Sequence, residues 1–442
     1  MNLVMIGTGY VGLTTGVGFA SLGHHVACVD IDAGKIARLD LGEVPFYEPG
    51  VQEALKHAQA QGHILFTTNL EEVIGNADIV MLAVGTPAKS TGEADLRALF
   101  AAADQVGALL DHEAVIVVKS TVPVGTNRQV LERIRHAMAA AGREGLTSLV
   151  HIVSVPEFLR EGTAMRDFIE SDRLVIGADD GIAAQTIDRL HEGIKAPRVI
   201  TSIESAELIK YAANAFLATK ISFINEMANL ADRVGADVRD IALGIGLDPR
   251  IGPHFLRAGI GYGGSCFPKD VSALEQIAGT NGYTFKLLSA VIEVNARQRD
   301  LFFNRLVEEL GGVKGRRIAV WGLSFKPDTD DVRESAAIDV AQRLCAQGSE
   351  VVAYDPKAVE NARRVLADSV TFAPTAIDAA AGAEALLVLT EWPEFRDVSF
   401  ATLKDLMLEP RIFDGRNHLA DLDLAQLGFT YHGVGLGSYA RS

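Results

Sequence analysis

Short aliphatic and β-branched runs alternate with helix-length amphipathic stretches through the first half of the chain. Runs at residues 2–6, 25–30, 79–84, 115–119 and 151–155 are too short for helices and are bounded by turn residues, so they are expected to be strands. Strands separated by helical stretches predict a parallel, doubly wound sheet. The pattern changes near residue 201. Residues 207–234 keep the helical period and contain neither Pro nor Gly before Gly235, which predicts a long helix opening a mostly helical middle region. After Gly311-Gly312 the alternation returns, with strands expected at 317–321, 350–354, 385–389 and 411–413. A second sheet follows from that return. From Gly433 onward the chain is rich in Gly and Ser and is expected to end as a flexible tail.

Composition narrows the function classes. A chain of 442 residues with 48% hydrophobic and 22% charged residues exceeds one compact core and has the make-up of an ordinary globular enzyme. Forty-one Lys plus Arg face 57 Asp plus Glu, a formal charge of −16, which argues against nonspecific binding to nucleic acid or anionic membrane. An anionic ligand must then meet local cations. Cys28, Cys266 and Cys345 are odd in number and far apart, unlike a disulfide framework or a zinc site, and fit a reducing cytoplasm. The 11 histidines do not cluster, so no metal is expected. No apolar stretch reaches membrane-spanning length, and the apolar opening at residues 3–6 runs straight into glycines without a basic leader, so no targeting segment is expected.

The first chemical motif is Gly7-Thr8-Gly9-Tyr10-Val11-Gly12, between the first expected strand and a small-residue helix. Gly7 permits the tight turn, Gly9 lets backbone approach a pyrophosphate and Gly12 permits close helix packing. The backbone from Tyr10 and Val11 opens the helix whose amino terminus favours anions. Asp30 ends the second strand 18 residues after Gly12, where a carboxylate accepts both ribose hydroxyls and repels a 2′-phosphate. NAD is therefore favoured over NADP in a Rossmann-like amino-terminal domain. Lys35 adds a cation on the adenosine side, or is a solvated helix lysine. The loops with Thr86 and Thr121 leave strands on the same sheet edge and are placed to meet cofactor or substrate, or only to cap helices. The next loop, Pro156-Glu157-Phe158-Leu159-Arg160-Glu161-Gly162, brings two carboxylates and an arginine to the crevice. Glu157 is a candidate acid or base there, with a solvated charge as the alternative.

Lys210 and Asn214 lie four residues apart on one face of the long helix, where they form either its wet side or a pair of oxyanion donors. Cys266 follows Gly259-Ile260-Gly261-Tyr262-Gly263-Gly264-Ser265 and precedes Phe267-Pro268-Lys269-Asp270. Glycines that let backbone crowd a ligand, with a cation and a carboxylate nearby, are the setting of a reactive thiol. A dinucleotide site combined with a nucleophilic thiol suggests oxidation past the aldehyde to the acid. Cys28, in an apolar strand, and Cys345, in a helical run, are expected to be packing thiols.

Together, residues 261–270, residues 156–162 and Phe325-Lys326-Pro327-Asp328-Thr329-Asp330-Asp331-Val332-Arg333-Glu334-Ser335 resemble the UDP-glucose and GDP-mannose dehydrogenase family, over nearly the whole chain. The resemblance implies an α/β protein with two Rossmann-like doubly wound sheets joined by a long central helix and helical middle domain. Its parts would be an NAD domain at 1–200, a dimerising helical domain at 201–304 and a UDP-binding domain at 312–442. In this last domain Gly322-Leu323-Ser324-Phe325-Lys326 replaces the glycine-rich dinucleotide loop. The implied reaction is four-electron oxidation of UDP-glucose to UDP-glucuronate. Lys210 and Asn214 would stabilise the sugar oxygen, and Cys266 would add to the aldehyde to give a thiohemiacetal and then a thioester. Asp270 and Glu157, with Thr121 and a water, would be the base machinery. The resemblance also places Glu161, Lys269 and Arg333 near NAD. It puts residues 157–161, Lys210, Asn214, Phe255, Leu256, Arg257, Ala258, Gly259, Gly263, Phe325 and Lys326 along the nucleotide sugar, and implies a homodimer through the central helix. Alternatives are a dehydrogenase of UDP-N-acetylmannosamine or GDP-mannose, a single-step 3-hydroxyacid dehydrogenase, or a noncatalytic NAD-responsive regulator. The last two have no use for Cys266.

Overall fold

The computed structural model describes residues 1–87, 89 and 92–437. It divides into two compact units, Met1–Ala213 and Asn214–Ser442. In the first, β1 (Asn2–Ile6), β2 (His25–Val29), β3 (Ile64–Thr67), β4 (Ile79–Leu82), β5 (Ala114–Val118), β6 (Val150–Ser154), β7 (Leu174–Ala178) and β8 (Arg198–Thr201) form one sheet. Its order is β3-β2-β1-β4-β5-β6-β7-β8, and only the β6–β7 pair is antiparallel. Helices cover both faces, so alternate residues of one strand enter different cores. Leu3 and Met5 pack with Leu13, Val17 and Phe19, whereas Val4 and Ile6 join Val80, Ile116 and Val130. Each such burial contributes about 1.5–3 kcal/mol, which is why this strand is apolar at every position of its interior.

The second unit repeats the architecture. β9 (Arg317–Trp321), β10 (Glu350–Tyr354), β11 (Val370–Phe372), β12 (Ala385–Val388), β13 (Arg411–Asp414) and β14 (Thr430–His432) are all parallel, in the order β11-β10-β9-β12-β13-β14. The helices Val238–Gly246, Phe267–Thr280 and Lys286–Glu309 belong to this unit. Ile224, Ala228 and Leu256 share one core with Phe303, Leu306, Ile318 and Val320, so the helical region and the second sheet are packed as one body.

Several expected boundaries shift. Asp30, Val84, Lys119 and Val155 fall just past their strands, because the chain leaves the ladder there to form the crevice loops; the buried Val155 stays apolar as a floor beneath them. β3, β7, β8, β11 and β14 were not expected, being runs of three to five residues too short for periodicity to decide, and β8 and β14 contain no buried residue. The long helix spans Ile203–Val234, beginning four residues before 207. The expected flexible tail is corrected over its described part. The amides of Gly435 and Gly437 donate to the Asp232 carboxylate at 3.1 and 3.2 Å, and the Gly435 carbonyl accepts from Val238 N at 2.8 Å. Residues 438–442 lie outside the described residues.

Candidate active site

Gly7 leaves β1 with φ +99°, and a Cβ there would stand 2.8 Å from the Ala83 carbonyl. A Cβ on Gly12 would lie 2.0 Å from the Gly7 carbonyl, so the turn closes only with glycine at both positions. Gly9 faces open space and precedes the Tyr10–Ser21 helix, whose first turn has no acidic residue and, among the described residues, no side-chain cap. Val11 lies half-buried in that turn. Its amides are left for an anion. Asp30 Oδ2 accepts from the Thr8 amide and hydroxyl at 2.8 and 2.6 Å and pairs with Lys35 at 3.0 Å. Burial alone would raise the Asp30 carboxyl, but these partners outweigh it and hold it at about 2. Open glycine, unclaimed helix amides and a permanently ionised carboxylate fit an NAD nucleotide. Sequence reasoning missed Glu48, a buried carboxylate that accepts from Tyr10 Oη at 2.6 Å and from the amides of Gly162 and Ala164 at 2.5 and 2.8 Å. It fastens the dinucleotide helix to the crevice loop.

The neighbouring loops brace one another. Thr86 Oγ1 donates to the Thr121 carbonyl at 2.9 Å. Glu157 is 7% exposed; its Oε2 accepts from Leu159 N at 2.7 Å and its Oε1 from Lys210 Nζ at 3.1 Å. Lys210 is itself 4% exposed, so this part of the helix is not a wet face. The Phe158 ring lies under Arg173 at 3.7 Å and near Lys210 at 5.5 Å. Arg160 is engaged by Asp167 at 2.5 Å, and Glu161 is half-buried.

In the second unit, Asn214 Nδ2 donates to Asp270 Oδ2 at 2.6 Å, and Lys269 Nζ pairs with Asp270 Oδ1 at 2.9 Å. Cys266 is the N-cap of the Phe267–Thr280 helix and is half-buried, where the helix dipole favours a thiolate. Burial pushes the Cys28 thiol up to about 12, and Cys345 donates to the Ser369 carbonyl. The loop before Cys266 is rigidly held. A Cβ on Gly263 would meet the Glu334 carbonyl at 2.2 Å, and the Phe325 ring packs where a Cβ on Gly264 would go. Asn225, Asn295, Gln298, Arg299 and Arg416 bond its backbone at Gly259, Gly261 and Tyr262 over 2.8–3.2 Å. These five escaped the sequence reading, because nothing local marks a distant side chain that holds a loop.

Within the expected sugar loop, Phe255 has φ +64°, Leu256 and Ala258 are buried in the core, and Arg257 is exposed. The side chains of Leu256 and Ala258 are thus taken up by the core, leaving only their backbone for the expected sugar contact. Lys326 Nζ lies 5.6 Å from the Phe325 ring, and Arg333 pairs with Asp331 at 2.6 Å. The loop after β9 is closed by Asp355 Oδ2, which accepts from the amides of Leu323 and Ser324 at 2.7 and 3.0 Å and from Trp392 Nε1 at 3.2 Å. Among the described residues no His, Cys, Asp and Glu cluster could hold a metal, and no helix is long and apolar enough to cross a membrane.

Three family models match in succession. The NAD binding domain of the UDP-glucose/GDP-mannose dehydrogenase family matches residues 1–195, its central domain 204–297 and its UDP binding domain 319–421. UDP-glucose 6-dehydrogenase YwqF of Bacillus subtilis is 46% identical over 435 residues, covering 98% of each chain. UDP-glucose 6-dehydrogenase of Rhizobium meliloti is 45% identical over 442 residues, covering 98% of this chain and 99% of its own. The solved UDP-glucose dehydrogenase of Pyrobaculum islandicum matches at 40% identity and a TM-score of 0.90, over 98% of this chain and 97% of that one. With a dinucleotide turn, a second sheet of different loop chemistry and a thiol at a helix amino terminus, the chain belongs to the UDP-glucose/GDP-mannose dehydrogenase family.

Proposed function

We propose that this protein is an NAD-dependent dehydrogenase that oxidises UDP-glucose by four electrons to UDP-glucuronate. The observation that carries the reading is Cys266, a half-buried thiol at a helix amino terminus inside a glycine-walled loop. A two-electron dehydrogenase needs no such group. Bound against residues 7–12 and Asp30, NAD supplies the hydride acceptor for both oxidations. Lys210 and Asn214 hold the negative charge that develops on the sugar oxygen. Cys266 adds to the aldehyde carbon, because the tetrahedral adduct is oxidisable where the trigonal aldehyde is not, and the resulting thioester is hydrolysed. Glu157 and Asp270, with Thr121 holding a water, are the bases. Glu161, Lys269 and Arg333 serve the cofactor, while residues 255–259, Gly263, Phe325 and Lys326 hold the UDP-sugar.

Identity of 45–46% to two proteins named UDP-glucose 6-dehydrogenase supports this substrate over UDP-N-acetylmannosamine or GDP-mannose. The same reading makes the protein a homodimer through the long helix, which exposes Phe216, Phe223 and Leu230 at seven-residue spacing. It also makes the protein cytoplasmic, supplying an acidic sugar for polysaccharide synthesis. The test compares the three nucleotide sugars in one NADH assay. UDP-glucose should have the highest kcat/KM, and Lys326→Ala should raise the KM for UDP-glucose more than that for NAD. A preference for either other sugar overturns the substrate assignment.

A further inference from the structure

The Glu157–Lys210 pair poses an electrostatic problem. If Lys210 is to stabilise an oxyanion, its charge is already balanced by a carboxylate 3.1 Å away, and both side chains are nearly buried. A neutral pair makes a weak oxyanion site. Lys119, one residue past β5, alters that balance. It is 7% exposed and lines, with Glu157, a cavity of about 70 Å³ in the first unit. Its ammonium has no hydrogen bond or ion pair among the described residues, and Thr15 Oγ1 in the same wall is also without a hydrogen-bond partner.

We propose that Lys119 is a positioning residue for the oxidation: as the third charge of a Lys119–Glu157–Lys210 cluster it leaves that trio with one net positive charge, which favours the sugar oxyanion. This rests on the reading of Lys210 as an oxyanion donor. The remaining groups around the cavity do not supply that charge. Burial, then the field of Lys119, lowers His191 to about 3, so it stays neutral at working pH. Arg160 is balanced by Asp167, and the charge of Arg173, stacked on Phe158, is opposed by Asp172, with Glu170 a further acid in the same wall. Burial lowers Lys119 to about 8, with Glu157 raising it and Lys210 lowering it further. The extra charge is therefore present below pH 8 and lost above it, and kcat should fall as pH rises through that value.

Lys119→Met and Lys119→Arg test this in the full-length protein. The Met variant should lower kcat at pH 7 by about tenfold or more, less than the roughly hundred- to thousandfold loss of a direct oxyanion donor because Lys119 acts through Glu157 and Lys210, with KM for NAD and UDP-glucose nearly unchanged. The Arg variant, which stays protonated, should recover most of that loss, and its kcat relative to wild type should climb through pH 8. Full kcat in the Met variant, a loss confined to KM, or an Arg variant that keeps the wild-type fall near pH 8 would overturn the proposal. Should the Met variant not fold, the Arg pH profile decides alone. Lys210→Met separates the two readings. If it turns over normally, the oxyanion role of Lys210 fails; if it is slow while Lys119→Met is not, only the role of Lys119 fails.

Discussion

Lys210 and Asn214 each meet a carboxylate, Glu157 and Asp270, so the proposed oxyanion donors and the proposed bases are held in hydrogen-bonded pairs. The sequence suggests that Lys210→Met keeps the fold intact, but the pairing changes that expectation. The variant leaves the Glu157 carboxylate nearly buried without its direct partner, a loss on the order of 3–5 kcal/mol when a buried pair is broken. We expect a lower melting temperature and, well below it, turnover slowed by roughly two to three powers of ten. Normal turnover in that range would make the pair purely structural. Asp30→Ala removes the acceptor of Thr8, Asp32 and Lys35. It should weaken NAD and relax discrimination against NADP, read as KM for the two cofactors. Unchanged values for both would remove Asp30 from the nucleotide site.

The elements were legible where local pattern decides them. Apolar runs gave β1, β2, β4, β5 and β6 within two residues, and the Gly-free and Pro-free stretch gave the long helix. What escaped depends on partners far along the chain. Glu207 reads as the first polar residue of a helix, yet its carboxylate accepts from the amides of Gly125 and Asn127 at 2.7 and 2.9 Å and caps the Thr126–Ala140 helix. Asp232 and the glycines of the tail are paired across some two hundred residues, which composition reads as flexibility. Glu207→Ala strands two backbone donors and the Asn127 amide. It should cost about 2–6 kcal/mol, from roughly 1–3 kcal/mol for each of the two buried donors of Asn127, the Gly125 amide being only partly buried, measurable by urea denaturation. A cost under 0.5 kcal/mol, typical of a surface substitution, would mean the cap is not formed in solution.

Across the whole molecule the first six strands of each sheet follow the same order, with different first loops. Gly7 and Gly9 leave one turn open to a pyrophosphate, whereas Asp355 and Trp392 close the other over Leu323 and Ser324. That division of labour between a cofactor sheet and a nucleotide-sugar sheet could be read from the motifs. The clamp of Asn225, Asn295 and Arg416 around the Cys266 loop could not, since its members come from three separate elements. The central claim is that one thiol allows both oxidations to occur on the same protein. Its most direct test is to incubate a limiting amount of UDP-glucose with excess NAD and measure NADH formed per sugar consumed, for the wild type and for Cys266→Ala. The account predicts two NADH and UDP-glucuronate from the wild type, and no acid from the variant with NAD binding retained. One NADH with free aldehyde as the final product, or normal acid output from Cys266→Ala, would contradict it.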